Sequence, residues 1–453
     1  MSAVSIMEPM IAIATIDARH IPDSARRIAT FSLFDWMVVT RAGRNEPVSR
    51  IVLSFVAEEG GKAVASVVGS SVLLPARAAA LANGSISHAL DYDDTHFAYI
   101  GHPSVAVAPA ALAAAEQVNA SAAALRDAYL LGAEASCRIG MVLGRAHYQR
   151  GFHQTSTSGA FGATIAAGRL LGLTPLEMRH ALSLVSTRAS GLKSQFGTMG
   201  KPFNAGIAAA NGIEAASLAK RGFVSCDDGL TGVQGFVETH SDHPDLEKPW
   251  HDPPPGTFVF EDIKYKLHAC CHGTHAMIEA LLAARQRHDF AMGAVTRIEV
   301  HTHPRWLRVC DIKKPRTGLE AKFSYALLAS MVLNGLDTSS EKTFNDALCT
   351  DPALERLAAR VIVSGDDRLS ETETRVSLEC GADERFLTSH DLAAPMCEEV
   401  KERKLRTKAR GLLGELEAEI LWAAVSDLDA CSAGDLAKLL TFPSSAVSGR
   451  IPA

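Results

Sequence analysis

Several kinds of pattern are missing from this 453-residue chain, and each absence removes a class of function. Lysine and arginine are scattered and form no basic stripe with interleaved aromatics. With a net charge of −6, nothing electrostatic points to a nucleic-acid partner. The first residues, "MSAVSIMEPMIAIATIDARH", lack a basic region, and their apolar run is too short for a signal or a membrane span. A cytoplasmic protein with no membrane partner is therefore expected. Nine cysteines form no CxxC pair, and the adjacent Cys270 and Cys271 suit neither an ordinary disulfide nor a zinc site. Reduced thiols are the simplest account. No GxGxxG follows a strand. The Walker pattern fails around Lys201, where the first glycine is missing and Pro202 follows the lysine. Gly159 belongs to no GxSxG elbow. No internal repeat is visible.

What is present is mostly helix and small side chains. Hydrophobic residues make up 47% and charged residues 21%, the balance of a folded soluble chain too long for one ordinary core. Apolar residues recur at three and four from residue 23 to about 225, as in "VAVAPAALAAAEQV" (105–118) and "ALRDAYLLGAEASCRIGMVLG" (124–144). Thr174, Pro175 and Glu177 mark a helix start by N-cap, N1 and N3 chemistry. Near residue 250, "HSDHPDLEKPWHDPPPGTF" reads as an exposed connection. Beyond a helix at "THAMIEALLAARQRH", alternation predicts strands at 295–303, 359–365 and 374–381, with the helix "LEAKFSYALLASMVLNG" after the first. The expected fold class is mainly α: an all-helical domain over 1–262 and 400–453, and a smaller α+β domain over 263–399. The charged run "EEVKERKLRTKAR" reads as a solvated face.

Four stretches carry polar groups worth chemical attention. In "GTMGKPFNAGIAAANGIEAASLAKRGF" (197–223), Lys201 stands before a helix expected from Ala205 to Lys220, with Asn204 as N-cap and Gly222 past the end. A cation there is repelled by the unpaired N–H groups and the macrodipole. Its bland role is a surface lysine. In this neutral, glycine-rich setting it is instead a candidate base of lowered pKa or a clamp for a carboxylate. "SHALDYDDTHFAYIGHPSVAVAP" (87–109) gathers Asp91, Asp93, Asp94, Thr95, His96 and His102. It lacks the EF-hand offsets, and zinc would need a distant ligand. Histidine-orienting carboxylates and helix caps account for it equally. "HYQRGFHQTSTSGAFGA" (147–163) places Tyr148 and His153 ahead of a small-residue helix, where an anion site and a structural histidine both remain open. "KYKLHACCHGTHAMIEALL" (264–282) brings Lys266, His268, Cys271, His272 and His275 to the domain junction.

Taken in this order, "HALDYDDTH" with "HPS", "GFHQTSTSGAFGA", the lysine stretch, "YKLHACCHGTHAMIEAL" and "EAKFSY" resemble the MmgE/PrpD family over nearly the whole chain. The resemblance implies a large helical domain and an α+β lid, a homodimer, and a site in the cleft between the domains. It implies action on a small polycarboxylate with no metal or organic cofactor. Carried over by motif, the site comprises Lys201, His102, His153 and Asp91 as catalytic groups, with Thr95, Tyr148, Lys266, Cys271 and His275 binding substrate. Decarboxylase-type members carry histidine where Cys271 aligns and a tyrosine that Tyr325 does not match in offset, and His268 replaces a more usual aromatic. These departures weaken the decarboxylase pattern, and with the general similarity of the chain they make an epimerase of the iminodisuccinate type the expected activity. A 2-methylcitrate-type dehydratase, a cis-aconitate-type decarboxylase and a non-catalytic polycarboxylate-binding protein are the alternatives.

Overall fold

The structure, a computed structural model, describes residues 5–251, 257–288, 292–381 and 384–441. It divides into two compact units, one of residues up to Tyr265 together with those from Leu413 onward, the other Lys266–Leu412. The chain is mainly α, as expected, with one small sheet.

The first unit is built from α1 (Met7–Ala14), α2 (Asp23–Gly43), α3 (Pro47–Glu59), α4 (Ala76–Ser87) and α5 (Ser104–Gln117). These are followed by α6 (Ala122–Arg150), the single turn α7 (Gln154–Thr157), α8 (Gly159–Leu170), α9 (Pro175–Ser186) and α10 (Gly200–Lys220). Helices α4, α5, α8 and α10 pack against one another at its centre. The alanine- and glycine-rich sequences are explained there by close approach. A Cβ on Gly84 of α4 would lie 2.8 Å from Gly206 Cα of α10, and one on Gly212 would lie 2.5 Å from Ala163 Cβ of α8. Helices with such faces pack backbone to backbone, which larger side chains would prevent. The start of α9 is the expected capping box, with Thr174 Oγ1 accepting from the Glu177 N–H and Glu177 Oε2 from the Thr174 N–H. Helix α6 runs past the expected Gly144, which adopts φ 65° and kinks it.

The second unit sets the helix His275–Arg287 against a sheet of order β2-β1-β3-β4. Strand β1 (Val295–Thr302) pairs in parallel with β2 (Val361–Gly365) and antiparallel with β3 (Glu373–Cys380), which pairs antiparallel with β4 (Glu384–Asp391). Ile298 faces Leu378 across one ladder and Val361 across the other. The expected strands are present. The unforeseen β4 is a polar outer strand, whose mostly uncovered faces impose no apolar alternation.

Three expectations need correcting. The helix expected over 319–335 is two, Gly318–Ala321 and Tyr325–Leu333, because the Ser324 side chain accepts from the Leu327 N–H and starts a new one. The helical segment expected from residue 400 is likewise not continuous, breaking at Gly414 with φ 88° into Glu398–Leu413 and Glu415–Ser426. The charged run within the former is not wholly solvated, since Lys408 is buried and Lys404 reaches Glu279. Of the proline-rich connection, residues 252–256 lie outside the described residues. All nine cysteines are free thiols. Among the described residues, no helix is long and apolar enough to cross a membrane.

Candidate active site

Within the first unit, the chain leaving α4 and the first turn of α10 bring four of the singled-out residues together. His88 caps the C-terminus of α4. Three residues later Asp91 turns back in a left-handed conformation, φ 50°, its N–H bonded to the His88 carbonyl. An aspartate tolerates this region better than most residues. Ile100 also has φ 57°, a genuine outlier for a β-branched side chain, and is held there by N–H donation to the His96 carbonyl at 2.8 Å. Strain of this kind is kept where surrounding contacts over-determine the backbone. Here they place His102, whose own N–H bonds Thr155 Oγ1 at 3.1 Å.

Lys201 lies inside the first turn of α10 rather than ahead of it, because the helix begins at Gly200. Its repulsion by the helix terminus is offset by Asp91, whose Oδ1 is 2.6 Å from Nζ. The same Asp91 oxygen is 3.6 Å from His102 Nε2. The Lys201 side chain is only 14% exposed and that of Asp91 is 51%, so the pair closes the outer edge of the cluster. Phe196 lies beneath both Lys201, 5.6 Å from its ring, and His153, 4.9 Å edge to face.

Behind them lies a layer of buried polar groups. Asp93 accepts from His88 Nδ1 at 2.9 Å and stands 2.8 Å from His102 Nδ1. The carboxylate gripping His102 is thus Asp93, and Asp91 holds the lysine. Burial opposes ionisation of Asp93, but His102 and His88 outweigh it and hold the carboxyl well below the usual range. Its neighbour Asp94 goes the other way: burial pushes it well above that range, with Ser104 bonded to it. Adjacent carboxyls are thereby pushed in opposite directions. Burial lowers His88 to about 4 despite Asp93. His153 falls well below its ordinary value through burial first and then repulsion from His88, Lys201 and His102. The His88 ring lies 4.8 Å from that of His102 and 5.9 Å from that of His153.

By spacing alone, His88, Asp91, Asp93 and His102 would suit a cation, their ligand atoms lying within 4.8 Å of one another. The contacts favour another account. The Lys201 ammonium already sits on Asp91, and both imidazole Nδ1 atoms are directed to Asp93. The set is a hydrogen-bonded network of cation, carboxylates and imidazoles.

The other singled-out residues are placed differently. Thr95 forms a two-way backbone bridge with Lys264, both N–H···O distances 2.7 Å, and its hydroxyl lies 3.4 Å from the Lys264 carbonyl. The Tyr148 ring is covered by Lys193 Nζ at 3.6 Å, away from the contacts that join Asp91, His102 and Lys201. Lys266, Cys271 and His275 belong to the second unit, where Lys266 is buried, the Cys271 N–H donates to the Lys322 carbonyl and His275 Nε2 lies 3.3 Å from the Cys270 carbonyl. Burial drives His275 well below its usual range.

Three participants were not assigned from sequence. His88 sits five residues before Asp93 within the same motif, a spacing that brings them together only once the helix has ended. Asn204, expected as an N-cap, is instead in the fifth position of α10 and directs Nδ2 to His153 Nδ1 at 3.2 Å. Phe196 carried no sequence signal.

Fold and cluster together define a two-unit, mainly helical protein built around an imidazole–carboxylate–ammonium network. The chain belongs to the MmgE/PrpD family: residues 12–249 match the MmgE/PrpD N-terminal domain and 268–430 the MmgE/PrpD C-terminal domain. It is thus a member of an enzyme family. Among curated relatives, it is 29% identical over 276 residues to a cis-aconitate decarboxylase-like protein of Aspergillus oryzae, covering 58% of this chain and 57% of the relative. It is 29% identical over 289 residues to a cis-aconitate decarboxylase of Aspergillus terreus, covering 59% and 57%. It is 28% identical over 398 residues to the cis-aconitate decarboxylase of Homo sapiens, covering 82% and 81%. The match thus spans little more than half the length of the Aspergillus relatives.

Proposed function

We propose that this chain is a lyase of the cis-aconitate decarboxylase kind, acting on a small polycarboxylate through its own acid–base side chains. The observation that carries the reading is Lys201, held by Asp91 in the first turn of α10 beside two imidazoles. An ammonium standing on a carboxylate at 2.6 Å, with imidazoles nearby, forms a seat for a substrate carboxylate. The names of the relatives turn the preference from the epimerase expected from sequence to a lyase.

The chemistry asks little else. When the C–CO₂ bond breaks, its electron pair stays on carbon and spreads into the adjoining unsaturated carboxylate. The site then has to stabilise that charge and deliver one proton. Lys201 would clamp the remaining carboxylate, Thr95 would donate to another, and His102 and His153 stand beside the reacting carbon. Tyr148 would line the edge. A homodimer would be the working form.

The test is a proton NMR time course in D₂O with cis-aconitate, 2-methylcitrate and iminodisuccinate in separate tubes, with CO₂ collected. CO₂ release from cis-aconitate, with one deuterium incorporated in the product, is expected. Interconversion of iminodisuccinate stereoisomers without CO₂ would replace this reading with the epimerase. An olefinic signal from 2-methylcitrate alone would replace it with a dehydratase.

A further inference from the structure

The two histidines beside Lys201 are held by partners of opposite hydrogen-bonding character. Asn204 Nδ2 lies 3.2 Å from His153 Nδ1 and 3.3 Å from the Leu192 carbonyl oxygen. A carbonyl only accepts, so it fixes which end of the amide is the NH₂ group. His153 Nδ1 therefore accepts, and the ring carries its proton on Nε2. His102 is the reverse. Its Nδ1 lies 2.8 Å from Asp93 Oδ2 and 2.8 Å from the Asp94 backbone oxygen, both acceptors. Its Nδ1 therefore carries a proton, and Nε2, 3.6 Å from Asp91 Oδ1, is the nitrogen that gains or loses one.

We infer that Asp93 and Asn204 divide the labour: His102 carries the proton at Nε2, while His153 donates a hydrogen bond from Nε2 and transfers no proton. His88, fully buried, completes the arrangement. Its Nδ1 donates to Asp93 at 2.9 Å, and its Nε2 has no hydrogen-bond partner among the described residues, so neutral His88 holds one face of Asp93 and nothing else. Asp93, His88 and Asn204 are positioning residues. In the lyase reading, on which only the substrate of this inference rests, the His102 Nε2 proton moves to the carbon left with the electron pair as CO₂ departs. His102 is then reprotonated from water. A neutral imidazole at His153 has no proton to give without becoming an anion, and its N–H instead steadies developing negative charge. Among the described residues, the charged and titratable groups around His102 are Asp93, Asp91, His88, His153 and Lys201, and of their side chains Asp93 alone is within hydrogen-bond reach of the ring.

Two measurements on the full chain test this. In long-range proton–nitrogen NMR of histidine-labelled protein, neutral His153 should appear as the Nε2–H tautomer and His102 with its proton on Nδ1. Asn204→Asp should move the His153 proton to Nδ1. In kinetics with cis-aconitate, Asp93→Asn should lower kcat by about 10²–10⁴-fold, as expected when an imidazole loses its orienting carboxylate. It should also move the basic limb of kcat/KM to lower pH. His88→Leu, which removes one donor from Asp93, should move that limb to higher pH, and His88→Asn should restore it. An Nδ1–H tautomer at wild-type His153, or an unmoved limb in folded Asp93→Asn and His88→Leu, overturns the inference. Tautomers as assigned with no turnover of cis-aconitate would overturn the substrate reading and leave the division of labour standing.

Discussion

Lys201 shows opposing effects at one residue. The first turn of α10 disfavours a cation by roughly 0.3–1 kcal/mol. A carboxylate at 2.6 Å more than offsets this, and the cost is accepted where a substrate carboxylate can use the charge. Lys201→Ala should lower kcat/KM by about 10²–10³-fold, the usual loss on removing one preorganised charge-stabilising donor. Lys201→Arg should not restore it, because a planar fork cannot take the place of a compact ammonium packed on Asp91 and Phe196. Steady-state kinetics of both variants check this, and full activity in Lys201→Arg would show that charge alone is needed. Exhaustive chelation should leave turnover unchanged, since Lys201 already occupies Asp91. Activity lost to a chelator and restored by one divalent cation would instead make His88, Asp91, Asp93 and His102 a metal centre. Asp91, His102 and His153 announced themselves in the sequence through dense polar motifs, and Lys201 as a lone cation in a neutral, glycine-rich stretch. Their partners were hidden for physical reasons: which of three nearby aspartates grips an imidazole depends on a left-handed turn at Asp91, and Asn204 reaches His153 only because α10 begins five residues early.

At the scale of elements, the small-residue helices are what bring the cluster together. Helix α4 ends at Ser87 with His88 as its cap, α10 begins at Gly200 with Lys201 next, and the two are held at close approach by Gly84 and Gly206. Gly206→Ala sets two effects against each other. Alanine gains about 1 kcal/mol of helix propensity. The new Cβ, however, would collide with the Leu81 carbonyl and the Ser85 hydroxyl of α4, and overpacking typically costs about 1–3 kcal/mol. The backbone contact cannot yield as a side chain could, so net destabilisation is expected in urea unfolding, with kcat lowered as α10 shifts against His88. An unchanged midpoint and kcat would show that α4 gives way freely. Local chemistry made some elements legible: the Thr174–Glu177 box, the apolar alternation of β1 and β3, and Gly222 at φ 86° past α10. Boundaries set by a single side chain or glycine were not. Ser324 splits an otherwise continuous apolar helix pattern, and the polar strand β4 is defined by its ladder to β3 rather than by its own composition.

For the whole molecule, each unit carries its own buried charged network, and both lose stabilisation in acid. In the second unit, Glu279 of the helix His275–Arg287 accepts from Lys404 Nζ at 2.5 Å and from His268 Nε2 at 3.2 Å. Burial alone would raise this carboxyl, but His268 and Lys404 bring it down to about 2. Its folded value therefore lies below its unfolded value of about 4.3, and the unfolded chain binds the extra proton. The stabilisation is fully present above that unfolded value and is lost as pH falls toward about 2. Glu279→Gln leaves Lys404 without its countercharge, and breaking such a pair costs about 3–5 kcal/mol. Denaturant unfolding at pH 7 and pH 5 should show the wild type more stable by an amount of that order. At pH 3 the difference should be markedly smaller, because the wild-type carboxylate is by then losing its advantage. A gap that stays constant from pH 7 to pH 3 would mean that Glu279 contributes shape rather than charge. Acid sensitivity of the fold would then have to come from the first unit, where Asp93, held low by His102 and His88, is subject to the same sign. Its loss on acidification would remove stability and the grip on His102 together, so inactivation would track unfolding there.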